Sequence, residues 1–122
     1  MSEQHKRRPL AMGMTPQPGF AGAWQPAVDI YRTHTGWLLK FELAGVTEDD
    51  LAVEVHGSRL TVSGVRRDWS IEDCSAHYAM EIAYNRFERV VELPCDLEQS
   101  QLNLELRHGI LFVRVITSGG RP

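Results

Sequence analysis

From residue 24 onward the chain is built of short stretches in which apolar and polar residues alternate. Val28 and Ile30 flank Asp29. Trp37, Leu39, Phe41 and Leu43 alternate with Leu38, Lys40 and Glu42, and Leu51, Val53 and Val55 alternate with Ala52, Glu54 and His56. Leu60 and Val62 are offset by Thr61 and Ser63, and Phe87, Val91 and Leu93 share a register that also includes Arg89. Leu102, Leu104 and Leu106 alternate with Asn103, Glu105 and Arg107, and an apolar run from Ile110 to Val113 continues towards Ile116. A period of two puts one row of side chains on a core and the other in water, so each stretch is expected to be a β-strand. Gly57-Ser58 and His108-Gly109 suit tight antiparallel hairpins. No connection holds the amphipathic helix that a parallel crossover needs. The expected architecture is all-β: an immunoglobulin-like antiparallel β-sandwich. One long link is expected over residues 66–80, and 94–101 has room for a single helical turn.

The first 23 residues do not share this pattern. Pro9, Pro16, Pro18, Gly13, Gly19 and Gly22 punctuate them, and their apolar residues follow no regular period. Local burial cannot offset the entropy of ordering such a segment, so 1–23 is expected to be a flexible N-terminal arm. Met12, Met14, Phe20 and Trp24 are expected to be exposed there, and methionines adapt to varied apolar surfaces. A sandwich domain over 24–117 and a short C-terminal stub, 118–122, complete the expected organisation.

Composition narrows the function. A chain of 122 residues has room for one domain, and 43% hydrophobic with 24% charged residues is enough to pack a core without a metal or disulfide staple. No apolar run approaches the roughly 20 residues of a membrane span. The basic N-terminus has no apolar stretch behind it to make a secretion signal, so a cytoplasmic, non-membrane protein is expected. The net charge of −3 offers nucleic acid no general attraction; residues 1–23 carry +2 and the remainder −5. Cys74 and Cys95 lack C-x-x-C spacing and read as free thiols. The five histidines show no zinc-binding spacing; His56 and His108 precede turn glycines and are expected to be solvated. Ser70 and Ser75 lie in no G-x-S-x-G elbow, no phosphate-binding G-x-x-x-x-G-K loop occurs, and Asp49-Asp50 reads as a turn before the strand at Leu51. No catalytic residue, cofactor or metal is expected.

Three groups of short stretches, taken in order, carry more specific information. Pro26-Ala-Val-Asp-Ile-Tyr31 is followed by Phe41-Glu-Leu-Ala-Gly-Val46 and Glu48-Asp-Asp-Leu51. Asn85-Arg-Phe-Glu-Arg89 then leads to Leu93-Pro94, and Leu104-Glu-Leu-Arg-His-Gly-Ile-Leu111 comes last. This order and spacing resembles the α-crystallin domain of the small heat-shock proteins, bacterial type, over roughly residues 24–116. Leu104 stands where the family commonly has alanine, His108 where it has asparagine, Ala44 where proline is frequent and Asn85 where glycine is. Asn tolerates the left-handed backbone better than most residues, so the last change is mild.

The resemblance implies a stress-response holdase that needs no ATP, binds partly unfolded client proteins and keeps them from aggregating. It places Leu51, Val53 and Val55 on one side of the family's edge groove, and Leu102, Leu104 and Leu106 on the other, as candidate client contacts. It also implies that the long loop carries a short strand exchanged with a partner subunit. His77, Tyr78, Ala79 and Met80 are the candidates for that strand, and Ala27, Val28, Asp29, Ile30 and Tyr31 for its receiver, which closes a homodimer able to build larger oligomers. Glu81 and Arg89 match positions the family often pairs near the dimer seam, and an arginine on an apolar register is expected to meet a charged partner. The family's usual I-x-I tail motif has no counterpart after Ile116, since Val113-Arg-Val115 belongs to the last strand. Large assemblies are therefore expected to be impaired or to depend on the arm. The alternative is a co-chaperone of the CS-domain type, which shares the sandwich but binds a specific folded partner; the long link and Gly109-Ile-Leu111 favour the holdase.

Overall fold

The computed structural model describes residues 23–69 and 76–117. Seven strands form two antiparallel sheets: β1 Val28–Arg32, β2 Gly36–Glu42, β3 Leu51–His56, β4 Arg59–Arg66, β5 Asn85–Glu92, β6 Gln101–Arg107 and β7 Ile110–Ile116. One sheet has the order β1-β2-β7-β6 and the other β3-β4-β5. The alternation becomes burial through register. Leu39 lies opposite Val113 and Phe41 opposite Leu111 in the first sheet, and Leu60 opposite Val91 and Gly64 opposite Phe87 in the second. These rows face each other and form a single core, joined by Leu43, Val46, Leu93 and Leu97 from the connections. Burying one such side chain contributes about 1.5–3 kcal/mol, so the two sheets hold each other.

The turns behave as their residues require. His108 (φ +56°) and Gly109 (φ +77°) give the β6–β7 hairpin two consecutive left-handed residues, the geometry that matches strand twist in a two-residue loop. Asn85 takes φ +74° at the start of β5, where its tolerance of that region is used. The helical turn expected in 94–101 is a 3-10 turn, Leu97–Gln99, with Asp96 capping the Glu98 amide at 3.0 Å. The Asp49-Asp50 turn is a second one, Glu48–Asp50.

Two boundaries differ from expectation. Arg66 still belongs to β4, paired with Asn85, so the long link runs over 67–84 rather than 66–80; Ser70 and Cys74 lie outside the described residues. Trp24 is not an exposed arm residue. Its amide donates to the Arg86 carbonyl (3.1 Å) and its carbonyl accepts from the Glu88 amide (3.0 Å), a single parallel bridge that straps residues 23–27 along β5. Its ring packs on Phe87 with 5.3 Å between centroids, which accounts for its partial burial.

Candidate functional site

The sandwich has two long sides, and they are finished differently. On one side lie the edge strands β3 and β6. Leu51, Val53 and Val55 from β3 and Leu102, Leu104 and Leu106 from β6 all pack against the core but stay half-buried, since among the described residues no further strand covers either edge. Strand period explains the arrangement: each triplet is one inward-facing row, spaced roughly 6.6–6.8 Å apart. The six residues named from the sequence for this side form two aliphatic rows, each packed against the common core. A chain crossover binds each end. Residues 93–100 cross beneath the β3–β4 turn, where Leu97 donates to the Gly57 carbonyl (2.9 Å) and Gly57 donates to Glu98 (2.7 Å). Residues 43–50 cross at the other end, where Leu43 donates to the Gly109 carbonyl (2.7 Å).

The opposite side, between β1 and β5, is covered by the strap. Arg89 faces inward from β5, and its Nη1 donates to the Pro26 carbonyl at 3.0 Å, so an arginine in an apolar row is satisfied by backbone. Glu81 lies exposed on the loop. The outer edge of β1 has no strand beside it among the described residues. Along it, Ala27 accepts from the Glu42 amide (3.0 Å), Val28 is half-buried, Asp29 is exposed, and Ile30 and Tyr31 are each 43% exposed. Lys40 donates to the Tyr31 hydroxyl at 3.3 Å. His77, Tyr78, Ala79 and Met80 are exposed and form no strand with their own sandwich. Trp69, Tyr78, Met80 and Ile82 make this loop the main concentration of exposed large apolar side chains among the described residues.

The roots of that loop hold residues that the sequence pattern did not single out. Arg66 Nε donates to the Ala83 carbonyl and Nη1 to the Ala44 carbonyl, both at 3.0 Å, and its guanidinium carbon sits 4.3 Å above the Trp24 ring. Arg67 grips Asp50 with two hydrogen bonds, 2.7 and 2.8 Å, and that bond holds the Asp50 carboxyl below its ordinary range against the opposing effect of burial. Trp69 Nε1 donates to the Gly45 carbonyl at 3.1 Å. Trp24 Nε1, in contrast, is buried without a partner, and an unmet donor of this kind costs about 1–3 kcal/mol. Basic residues at strand ends are usually solvated, so only the geometry reveals Arg66.

Other candidate chemistry is sparse. Among the described residues no group of three His, Cys, Asp or Glu side chains is placed to hold a metal ion. No helix among them is long and apolar enough to cross a membrane. The Cys95 thiol is half-buried beside Asp96, and burial first, then that carboxylate, pushes its pKa up and away from reactivity. His56 and His108 are exposed in their turns.

Comparison with known proteins agrees with this architecture. The model of the Hsp20/alpha crystallin family matches residues 29–120. Small heat shock protein C2 of Rickettsia felis is 28% identical over 90 residues, covering 74% of this chain and 58% of its own length. Spore protein SP21 of Stigmatella aurantiaca is 32% identical over 89 residues, covering 73% of this chain and 53% of its own. The chain thus spans a little over half the length of these relatives. Among solved structures, heat shock protein 16.0 from Schizosaccharomyces pombe superposes with a TM-score of 0.68 at 20% identity, covering 76% of this chain and 86% of that one. HSP18.5 from E. histolytica gives 0.64 at 26% identity, covering 78% and 89%. With the family model spanning most of the sandwich, the chain belongs to the Hsp20/alpha crystallin family.

Proposed function

We propose that this protein is an ATP-independent holdase of the cytoplasm that binds partly unfolded clients and prevents their aggregation. The observation that carries this reading is the β3/β6 side, where two aliphatic rows stand half-buried beside strand edges that no described residue covers. Unfolded chains expose extended segments with alternating apolar residues. Such a segment can lie along a strand edge, giving its backbone groups partners and its side chains an apolar floor. Binding of this kind is shallow and reversible, and mass action alone governs it, so nucleotide hydrolysis has no step to drive. The exposed loop side chains Trp69, Tyr78, Met80 and Ile82 offer further apolar surface.

The same reading includes a homodimer, with larger oligomers impaired or dependent on the N-terminal arm. The exposed segment 77–80 would add to the partner's β1, whose outer edge is unpaired and flanked by Ile30 and Tyr31, and a two-fold axis would repeat the exchange. Glu81, at the end of that segment, would then approach the partner's β1/β5 side, on which Arg89 lies.

The test is to heat or reduce an aggregation-prone client with this protein and no nucleotide. Suppressed turbidity at equimolar ratio is expected; turbidity unchanged even in excess chaperone rejects the holdase. The same assay without residues 1–23 measures what the arm contributes.

A further inference from the structure

Arg66 joins three segments that are far apart in sequence. Its stem ends β4, its two hydrogen bonds reach the 43–50 crossover (Ala44) and the returning end of the loop (Ala83), and its charged plane covers the Trp24 ring of the strap. We propose that Arg66 is a coupling latch: release of the N-terminal strap from β5 loosens the return of the loop, and withdrawal of the loop loosens the strap.

The physical basis is that the two sets of contacts share one side chain. The guanidinium carbon rests 4.3 Å from the indole centroid while two of its nitrogens donate to the carbonyls, so the same group serves both sets of contacts. When Trp24 leaves, water reaches the guanidinium and competes for the Ala44 and Ala83 bonds. When Ala83 moves away, the side chain loses the bond that fixes its plane, and Trp24 loses its cover. Linkage makes the coupling reciprocal.

The strap is suited to be the mobile half. Its inner end is anchored by buried Pro26, the Arg89–Pro26 bond and the Glu42–Ala27 bond, so the part free to lift is the outer end, where Trp24 is held by one bridge and the Phe87 ring contact while its indole N–H stays buried without a partner among the described residues. Leaving β5 would hydrate that donor, so part of what the strap loses in contacts is offset. The loop root nearest β4 is fixed independently, through Arg67–Asp50 and Trp69–Gly45, so the hinge that Arg66 governs is the return at Ala83. If the loop carries the exchanged strand of the proposed dimer, the latch links the state of the N-terminal arm to exchange between subunits. That consequence rests on the functional reading above; the latch itself does not.

Two reporters test the latch in the full-length protein without client. Hydrogen exchange at the Glu88 amide, which donates to the Trp24 carbonyl, reads the strap. Chymotryptic cleavage after half-buried Tyr84, normalised to cleavage after fully exposed Tyr78, reads release of the loop return. Trp24→Leu is expected to raise normalised cleavage after Tyr84 by about tenfold, a usual size for coupled sites. Arg66→Met should accelerate both reporters, and the double variant should go no further than either single one. Arg66→Lys keeps a cation over Trp24 but loses the two-pronged donor, so it should raise cleavage while sparing the Glu88 amide. Slow exchange at Leu39 and Val113 in the β2–β7 ladder verifies that the sandwich is intact; the Arg66→Lys comparison serves should Arg66→Met disturb it. The latch is overturned if Trp24→Leu leaves normalised Tyr84 cleavage at the wild-type rate, or if the two effects multiply in the double variant. Either result leaves the holdase and dimer readings untouched.

Discussion

The two long sides of the sandwich solve the same problem in opposite ways. Each is bounded by two edge strands, and each must cope with apolar side chains that a sheet cannot hide at its margin. On the β1/β5 side, residues 23–27 lie along β5, Phe87 is buried under Trp24, and Arg89 finds the Pro26 carbonyl. On the β3/β6 side nothing among the described residues covers the edges, and six aliphatic residues remain half-buried. The difference teaches that burial and alternation are separate properties. Both sides have the same two-residue period, yet one supplies stability and the other supplies surface.

Phe87→Ala tests the covered side most severely. The substitution empties the pocket beneath Trp24 and is expected to destabilise the fold by about 3–5 kcal/mol, measured as a lower denaturation midpoint at unchanged slope. A loss as small as that expected for the uncovered side would break the contrast. Arg89→Met keeps the apolar stem but leaves the Pro26 carbonyl without its donor; a loss of about 1–2 kcal/mol is expected in the same measurement. Leu104→Ser lies on the other side and should cost only about 1 kcal/mol, because the residue is half-buried already. Its larger effect is expected in turbidity assays, where protection of a heated client should fall although the protein stays folded. Full protection by Leu104→Ser combined with Val53→Ser would place client contact elsewhere.

The smallest effect concerns pH. Asp50 titrates below its ordinary value of 3.8 because Arg67 bonds its carboxylate. Its folded-state pKa is therefore depressed, and its contribution is complete above that ordinary value and lost as pH falls through the lower folded one. Asp50→Asn should flatten the acid limb of the stability curve over that window and lower stability at neutral pH by no more than about 1 kcal/mol, since the Arg67 end of the pair is more than half exposed.

The strands were legible because alternation is a property of short range. The rows at 37–43, 51–55, 102–106 and 110–116 announce their faces, and His108-Gly109 announces its turn. Arg89 was legible halfway: its register points to a charged partner, but within the chain it meets the backbone carbonyl of Pro26, which leaves no mark in the sequence. The degree of cover was not legible at all. Leu104 and Leu60 sit in equivalent patterns, and only the strand order makes one an edge residue and the other fully buried. Trp24 was misplaced because a one-residue bridge has no period to detect, and Arg66 was missed because its three contacts come from segments 17 to 42 residues away.

The crossovers at the two ends of the uncovered side have a mechanical consequence. Residues 43–50 and 93–100 fasten the sheets together beyond the last aliphatic residue at either end, through Gly109 and Gly57. A strip clamped at both ends cannot gape like a hinge; it can only bow. The largest excursion then falls at midspan, at Val53 and Leu104, while Leu51, Val55, Leu102 and Leu106 stay close to their anchors. The fold therefore fixes the length of this opening and leaves its width elastic.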